Sequence, residues 1–328
     1  MKRTLIALLL TALAAPAALA GPPTAAELLR LVPDGAQAVV AVDSAALRAH
    51  PLVQTWLLRQ HAWTATDSDV ERFLRDAGLD PVRDVDVIVV ATVGAGDKTA
   101  GVALFAGRYD PASLAAALVK RGARALAIAG TAGYQLPDSG CDGGRALVLA
   151  QPSADLVVVG DQATVAQVLG RPHAIPALVA GEIAAGRLDT RAPFWMVANV
   201  PAKARQHASE VSGRVQGEAS DAVRGVVLAS GTVQRVMAQA HLDDVLRLSG
   251  AALADTPENA ELLRDALKGA LAVARLHAQD AAPDLVDVLR GVELDVDGTA
   301  VIGRGAISVA LLEKLAAEHG GAAHGHEL

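Results

Sequence analysis

Residues 94–99, with the sequence GAGDKT, contain the residue types that bind phosphate in nucleotide-binding proteins. A phosphate-binding loop needs glycine directly before its Lys-Thr pair, and it leads into a helix whose N-terminus holds the phosphate. Here Asp97 precedes Lys98, and a strand-like run begins at Ala100. We therefore interpret this segment as the turn of a β-hairpin, and we predict no bound cofactor.

Three histidines near the C-terminus are the weak candidates for a metal site: His319, His324 and His326. Imidazole groups at this spacing can chelate Zn²⁺ or Ni²⁺. Glycines lie among them, so forming a site would require ordering a flexible tail at an entropic cost. We predict that this tail holds no metal.

The single cysteine, Cys141, lies in a Gly- and Asp-rich segment whose acidic residues disfavour a reactive thiolate. One cysteine also excludes an internal disulfide. The sequence contains no HExxH or GxSxG motif. We predict no catalytic residue, although a Ser-His-Asp triad can assemble from distant segments because triads are defined by geometry.

Aromatic residues make up only 2% of the chain, and they are the best candidates for contacts with a partner protein. Trp and other large aromatic side chains often dominate protein interfaces when they are exposed. We expect such a role for Trp56, Trp63, Phe194 and Trp195, if they are exposed. The same scarcity weakens any case for binding single-stranded nucleic acid, which uses aromatic platforms.

The N-terminus has the order of a cleavable signal peptide. Two basic residues open the chain, an uncharged apolar run covers residues 4–15, and the small residues Ala18 and Ala20 precede Gly21. The run is short and contains proline, whereas a spanning helix needs about 20 apolar residues. We expect residues 1–20 to be removed, leaving a soluble protein without a membrane span, in the periplasm or outside the cell.

Charge and hydropathy limit what the exported protein can bind. Removing the signal peptide leaves 27 basic and 36 acidic residues, a net charge of about −9. Nucleic acids and anionic membranes are bound mainly through Lys and Arg, so this balance predicts neither partner. The hydrophobic fraction of 52% indicates an ordered core built mainly from Ala, Val and Leu.

The pattern of elements predicts an α+β fold in two similar halves. Each half shows a strand, a helix, antiparallel strands, a helix that starts at a capping residue followed by proline, further strands and a closing helix. The capping pairs are Asp110-Pro111 and Thr256-Pro257. Strands joined by short turns pair antiparallel, and helices with one apolar stripe cover a sheet. We predict antiparallel sheets with helices on one face.

These patterns divide the chain into five segments. The predicted segments are the signal peptide 1–20, a first α+β subdomain 21–170, a Pro/Gly-containing linker 171–193, a second α+β subdomain 194–319 and a flexible His/Gly tail 320–328. The order of elements and caps suggests an internal repeat, although few residues are identical between the two halves.

Several structural motifs resemble those of uncharacterised exported bacterial proteins of unknown function. The motifs are residues 31–36, residues 38–43, the helix start at 256–260 and the Asp297-Gly298 turn. The resemblance covers most of the mature chain. It implies no activity and assigns no functional residue.

The sequence therefore favours an exported, non-catalytic binding or scaffold module that acts on an unidentified protein partner. Two alternatives remain open. A hydrolase with a dispersed active site would need a cleft that gathers His, Ser and Asp, and a periplasmic carrier of small apolar ligands would need a sizeable enclosed cavity between helices and sheet.

Overall fold

The strands form where β-branched and other apolar residues recur. The structure is a computed structural model that describes residues 21–54, 69–94, 99–137, 146–170, 172, 174–212 and 220–320. The strands are β1 (Ala36–Asp43), β2 (Val85–Val93), β3 (Ala100–Gly107), β4 (Arg124–Ile128), β5 (Thr131–Gln135), β6 (Leu147–Ser153), β7 (Leu156–Asp161), β8 (Phe194–Asn199), β9 (Val233–Leu242), β10 (Val245–Ala254), β11 (Glu293–Asp297) and β12 (Ala300–Ser308).

The helices alternate with groups of strands, as expected for an α+β protein. They are α1 (Ala25–Leu29), α2 (Ser44–Ala49), α3 (Asp69–Asp76), α4 (Pro81–Asp84), α5 (Pro111–Lys120), α6 (Gln162–Val168), α7 (Ala177–Ala184), α8 (Ala202–Ser212), α9 (Ser220–Ser230), α10 (Pro257–Ala281), α11 (Asp284–Arg290) and α12 (Val309–Gly320). Helix α7 lies within the predicted linker, and it buries Leu178 and Val179.

All twelve strands belong to one open sheet, in the order β11-β12-β10-β9-β8-β1-β2-β3-β7-β6-β5-β4. Every neighbouring pair is antiparallel. Short connections require this pairing for consecutive strands such as β9 and β10. Pairing of β1 with β8 places β2–β7 on one side of β1 and β8–β12 on the other. The predicted α+β class with antiparallel strands is confirmed.

Helices cover both faces of this sheet, whereas the sequence analysis expected them on one. We call the two sides the first and the second face. On the first face, α1, α6 and α7 bury the largest apolar cluster. On the second face, α5 covers the β4–β7 end, and α10 covers the β9–β12 end. The reason is that strands such as β7 are apolar at consecutive positions, so both sides need cover.

The predicted helix starts depend on side chains that accept hydrogen bonds from free backbone N–H groups. Asp110 accepts from Ala112 N and Ser113 N at the start of α5. Thr256 Oγ1 accepts from Asn259 N at 3.2 Å at the start of α10. Both caps are followed by proline at the first helical position, as predicted.

Replacing Thr256 with alanine is expected to lower the free energy of unfolding by about 1 kcal/mol, because the N–H of Asn259 loses its acceptor. Urea denaturation of the purified protein measures this change. Thr256→Ser keeps the hydroxyl group and should restore most of the loss. Lys268→Ala, at an exposed position of the same helix, is the control. An equal loss in both alanine variants would contradict the capping role.

The segment 94–99 connects two paired strands. Val93 pairs with Ala100, and Gly94 has a positive φ of 91°. A strand therefore follows the glycines, where a phosphate loop requires a helix. The hairpin interpretation is confirmed, and residues 95–98 lie outside the described residues.

Candidate functional site

Two rows of apolar side chains cross the centre of the sheet on its second face. Residues paired across antiparallel strands point to the same face, so the register defines both rows. One row is Ile88, Val42, Phe194, Ala240 and Leu248, and the other is Val90, Val40, Met196, Ala238 and Gly250. We call these ten residues the apolar face. It extends over five strands, from β2 through β1, β8 and β9 to β10.

The apolar face lies between the cluster under α5 and the cluster under α10, and none of its ten residues belongs to the three buried clusters. Val90 and Leu248, at its opposite edges, are 39% and 43% exposed. The other eight residues are half-buried. The face is therefore partly covered, and it is in contact with solvent at both edges.

The opposite side of the same strands is fully covered. Val39, Val89 and Val197 are each 0% exposed beneath the helices of the first face. The apolar side chains of β1 and β2 that point to the first face are therefore explained by their packing against helices. On the apolar face, the described helices do not provide an equivalent buried cluster. Partly exposed apolar side chains that continue across several strands can mark a site of interaction.

The chemistry of the apolar face is uniform. Its side chains are aliphatic except for Phe194, Met196 and Gly250, and none carries a charge, a hydroxyl or an amide. Such a surface can stabilise a bound group by removing its apolar area from water, at about 25 cal/mol per Å². It offers no side chain for acid–base or nucleophilic chemistry.

The structure separates the four aromatic residues that the sequence analysis grouped as interface candidates. Phe194 is half-buried on the apolar face, whereas Trp195 points to the first face and is 0% exposed. Trp195 therefore does not meet the condition of exposure on which its proposed interface role depended, because neighbouring residues of a strand point to opposite faces. Trp56 and Trp63 lie outside the described residues.

A buried ionic network lies on the first face, behind the apolar face. Glu182 of α7 is 1% exposed, and its carboxylate accepts hydrogen bonds from Arg187 and from Arg235 of β9, each at 2.7 Å. Arg235 Nε also donates to Asn199 Oδ1 of β8 at 2.9 Å, and Asn199 Nδ2 donates to Gln37 Oε1 of β1 at 3.1 Å. The network connects α7 to three central strands.

A second charged group lies at the end of β2. Arg48 of α2 donates to Val85 O and pairs with Asp86, which also lies 3.4 Å from Arg108. Arg48, Asp86 and Arg108 line an open cleft of about 440 Å³ next to residues 22–25. The carboxylate of Asp86 is thus shared by two guanidinium groups, an arrangement that connects α2 to the sheet.

A polar cleft of about 410 Å³ on the first face contains His241 and Ser249, the residue types that a dispersed hydrolase site would need. No hydrogen bond among the described residues joins these two side chains. Glu293 also lines the cleft, together with Arg247, which pairs with Asp243 at 2.7 Å, and Arg304, which pairs with Asp295 at 3.3 Å. The cleft does not form a nucleophile–base pair.

The remaining sequence predictions fall mostly outside the described part of the chain. Residues 1–20, Cys141, His324 and His326 are not described, and for His319 only its place at the end of α12 is described. Gly21 is exposed. In the described ranges, no group of three His, Cys, Asp or Glu residues could hold a metal ion. Within them, no helix is both long and apolar enough to cross a membrane.

The apolar face and Glu182 were not identified from the sequence. The sequence did contain a pattern that indicates the apolar face. Residues Val39–Val42 and Val87–Val90 are apolar at every position, which predicts strands with two apolar sides. No local pattern indicated the pairing of Glu182 with Arg235, because the two residues are 53 positions apart along the chain.

Comparison with known proteins finds weak structural similarity to solved structures and no sequence match. No family model matches the sequence, and no curated protein matches it. Among solved structures, crystal form I of TP0453 covers 87% of this chain and 94% of its own chain, with a TM-score of 0.46 and 10% identity. Crystal form IV of TP0453 covers 88% and 95%, with a TM-score of 0.43 and 9% identity.

Proposed function

We propose that this chain is an exported, non-catalytic binding protein whose binding surface is the apolar face. The observation that carries the proposal is the pair of uncharged rows across five central strands, which lie outside the buried clusters. Export is supported by the signal-peptide pattern of residues 1–20. A non-catalytic role is supported by the absence of reactive side chains on this face.

Placing a charge on the apolar face is expected to weaken binding of a solvatochromic apolar dye such as Nile red. Val90 is 39% exposed, so glutamate can be placed there with a moderate loss of stability. Its carboxylate would lose water when the dye binds, which opposes binding. We expect Val90→Glu to raise the Kd of the dye at least about tenfold, equivalent to about 1.4 kcal/mol. Fluorescence titration measures the Kd.

The matched control is Leu262→Glu on α10, where the leucine is 62% exposed and lies outside the apolar face. It makes the same change in polarity and charge at another exposed site. We expect the control to bind the dye like the parent protein. Equal dye affinity in all three proteins would overturn the proposed function, because the dye would then bind elsewhere. Thermal unfolding of each variant verifies that it remains folded.

A further inference from the structure

The side chain of His50 uses both of its ring nitrogens. His50 is half-buried, and it lies between α2 and a helical turn at residues 51–54. Its Nδ1 lies 3.2 Å from the backbone N of Leu52, and its Nε2 lies 2.7 Å from the carbonyl oxygen of Asp243. Asp243 is 193 positions further along the chain, in the turn between β9 and β10. His50 therefore connects the start of the helical turn to a distant hairpin.

These two contacts determine the protonation state of the ring. The backbone N–H of Leu52 can only donate a hydrogen bond, and the carbonyl oxygen of Asp243 can only accept one. Nδ1 must therefore accept, and Nε2 must carry the proton. Only the neutral Nε2–H tautomer meets both requirements, because a protonated imidazole has a donor at each nitrogen. The contact with Leu52 consequently depends on a neutral ring.

The backbone around His50 shows why the contact with Leu52 stabilises the helical turn. His50 is extended, with φ −81° and ψ 130°, and Pro51 follows it at the first helical position. The carbonyl oxygen of His50 accepts from Gln54 N at 3.1 Å. This is the arrangement of an N-cap, in which a side chain accepts from a free N–H group of the first turn. A positive charge on the cap is unfavourable, because the N-terminal end of a helix is itself positive.

Charge on the hairpin has the opposite effect and favours a protonated ring. The titratable and charged residues of α2, of the helical turn and of residues 241–247 are Arg48, His241, Asp243, Asp244 and Arg247. Arg48 pairs with Asp86 of β2. Arg247 pairs with Asp243 at 2.7 Å, so Asp244 leaves the turn with a net negative charge. A protonated ring also keeps its Nε2–H donor, so protonation breaks the contact with Leu52 and keeps the contact with the hairpin.

We propose that His50 is a pH-sensitive cap, which holds the helical turn 51–54 when its ring is neutral and releases the start of that turn when its ring is protonated. Histidine side chains change charge between about pH 5 and 8. Near the upper end of this range, one side chain joins the helical turn to the β9–β10 hairpin. Near the lower end, the N–H of Leu52 faces a second donor and the turn frays at its first residues. The device uses none of the ten residues of the apolar face, and it does not depend on the proposed function.

Hydrogen exchange of the Leu52 amide in the full chain, followed by NMR at about pH 7.5 and about pH 5.5, tests this proposal. The protection factor at each pH is taken relative to the intrinsic exchange rate at that pH. We expect it to fall about fivefold at the lower pH, the factor that corresponds to the loss of a typical cap. His50→Gln offers one acceptor and one donor but does not titrate, so its protection factor should not fall. His241→Gln removes the histidine of the hairpin, and this control should behave like the parent protein.

The tautomer of His50 provides a second test that needs no variant. The nitrogen NMR shifts of its ring at about pH 7.5 should show the Nε2–H form, and an Nδ1–H or doubly protonated ring would overturn the proposal. It would also be overturned if Leu52 kept its protection while the ring became protonated, or if the parent protein and His50→Gln lost protection equally. A pH response that disappears in His241→Gln would assign the effect to His241 instead. The ring measurement uses the parent protein, so it decides the proposal even if His50→Gln fails to fold.

Discussion

Replacing Glu182 with glutamine is expected to lower the free energy of unfolding by about 3 kcal/mol. The carboxylate is 1% exposed and pairs with two guanidinium groups, so its loss leaves two positive charges facing a neutral amide. Breaking a buried ion pair from one side costs about 3–5 kcal/mol. The side chains of Arg187 and Arg235 are 22% and 28% exposed. Because water partly hydrates them, we expect the loss of stability to lie at the lower end of that range.

Urea denaturation of the parent protein and of Glu182→Gln measures this difference. The matched control is Asp287→Asn, which removes a carboxylate from an exposed pair with Arg290 at 3.3 Å. Exposed ion pairs contribute little, so the denaturation midpoint of the control should be nearly unchanged. Similar midpoints for the two variants would show that the Glu182 network does not stabilise the junction of α7 with the central strands.

The pH dependence of stability provides a second measurement on the same pair of proteins. Burial raises the pKa of Glu182, but hydrogen bonds from Arg187 and Arg235 outweigh it and hold the pKa below its usual 4.5. A lowered pKa in the folded state means that ionised Glu182 stabilises the fold above about pH 4.5, and that this contribution is lost as the pH falls through the folded-state pKa. The stability difference between the parent protein and Glu182→Gln should therefore shrink at acid pH.

The local features of the fold could be predicted because their causes are local in the sequence. Asp110 and Thr256 cap helices through N–H groups two or three residues away. The Asp297-Gly298 turn could be predicted because glycine accepts the positive φ of 58° found there. Antiparallel pairing of consecutive strands such as β9 and β10 followed from the short connections between them. Each of these depends on a few neighbouring residues.

The candidate site could not be predicted because it depends on long-range register. The apolar face combines β1 and β2 with β8, β9 and β10, which are more than 100 residues further along the chain. Which side of Val39–Val42 faces helices is decided by where α1 and α7 pack, and no local pattern encodes that. The sequence analysis therefore placed the helices on one face. It also grouped Phe194 with Trp195, although the two point in opposite directions.

Replacing Trp195 with alanine is the second change expected to have a large effect, lowering the free energy of unfolding by about 3–5 kcal/mol. Its indole is 0% exposed in the largest cluster, and its removal would leave a cavity beneath the helices of the first face. Trp195→Phe should cost much less. It retains an aromatic ring, and the indole Nε1 has no hydrogen-bond partner among the described residues.

Phe194→Ala is the matched comparison, because it changes the adjacent aromatic residue on the other face of β8. Phe194 is half-buried, so its replacement should cost less stability than Trp195→Ala while weakening dye binding to the apolar face. Thermal unfolding and dye titration of Trp195→Phe and Phe194→Ala measure the two effects. If Trp195→Phe lost dye affinity and Phe194→Ala kept it, binding would have to be assigned to the first face. The opposite result would support binding at the apolar face, since of these two aromatic residues only Phe194 lies on that face.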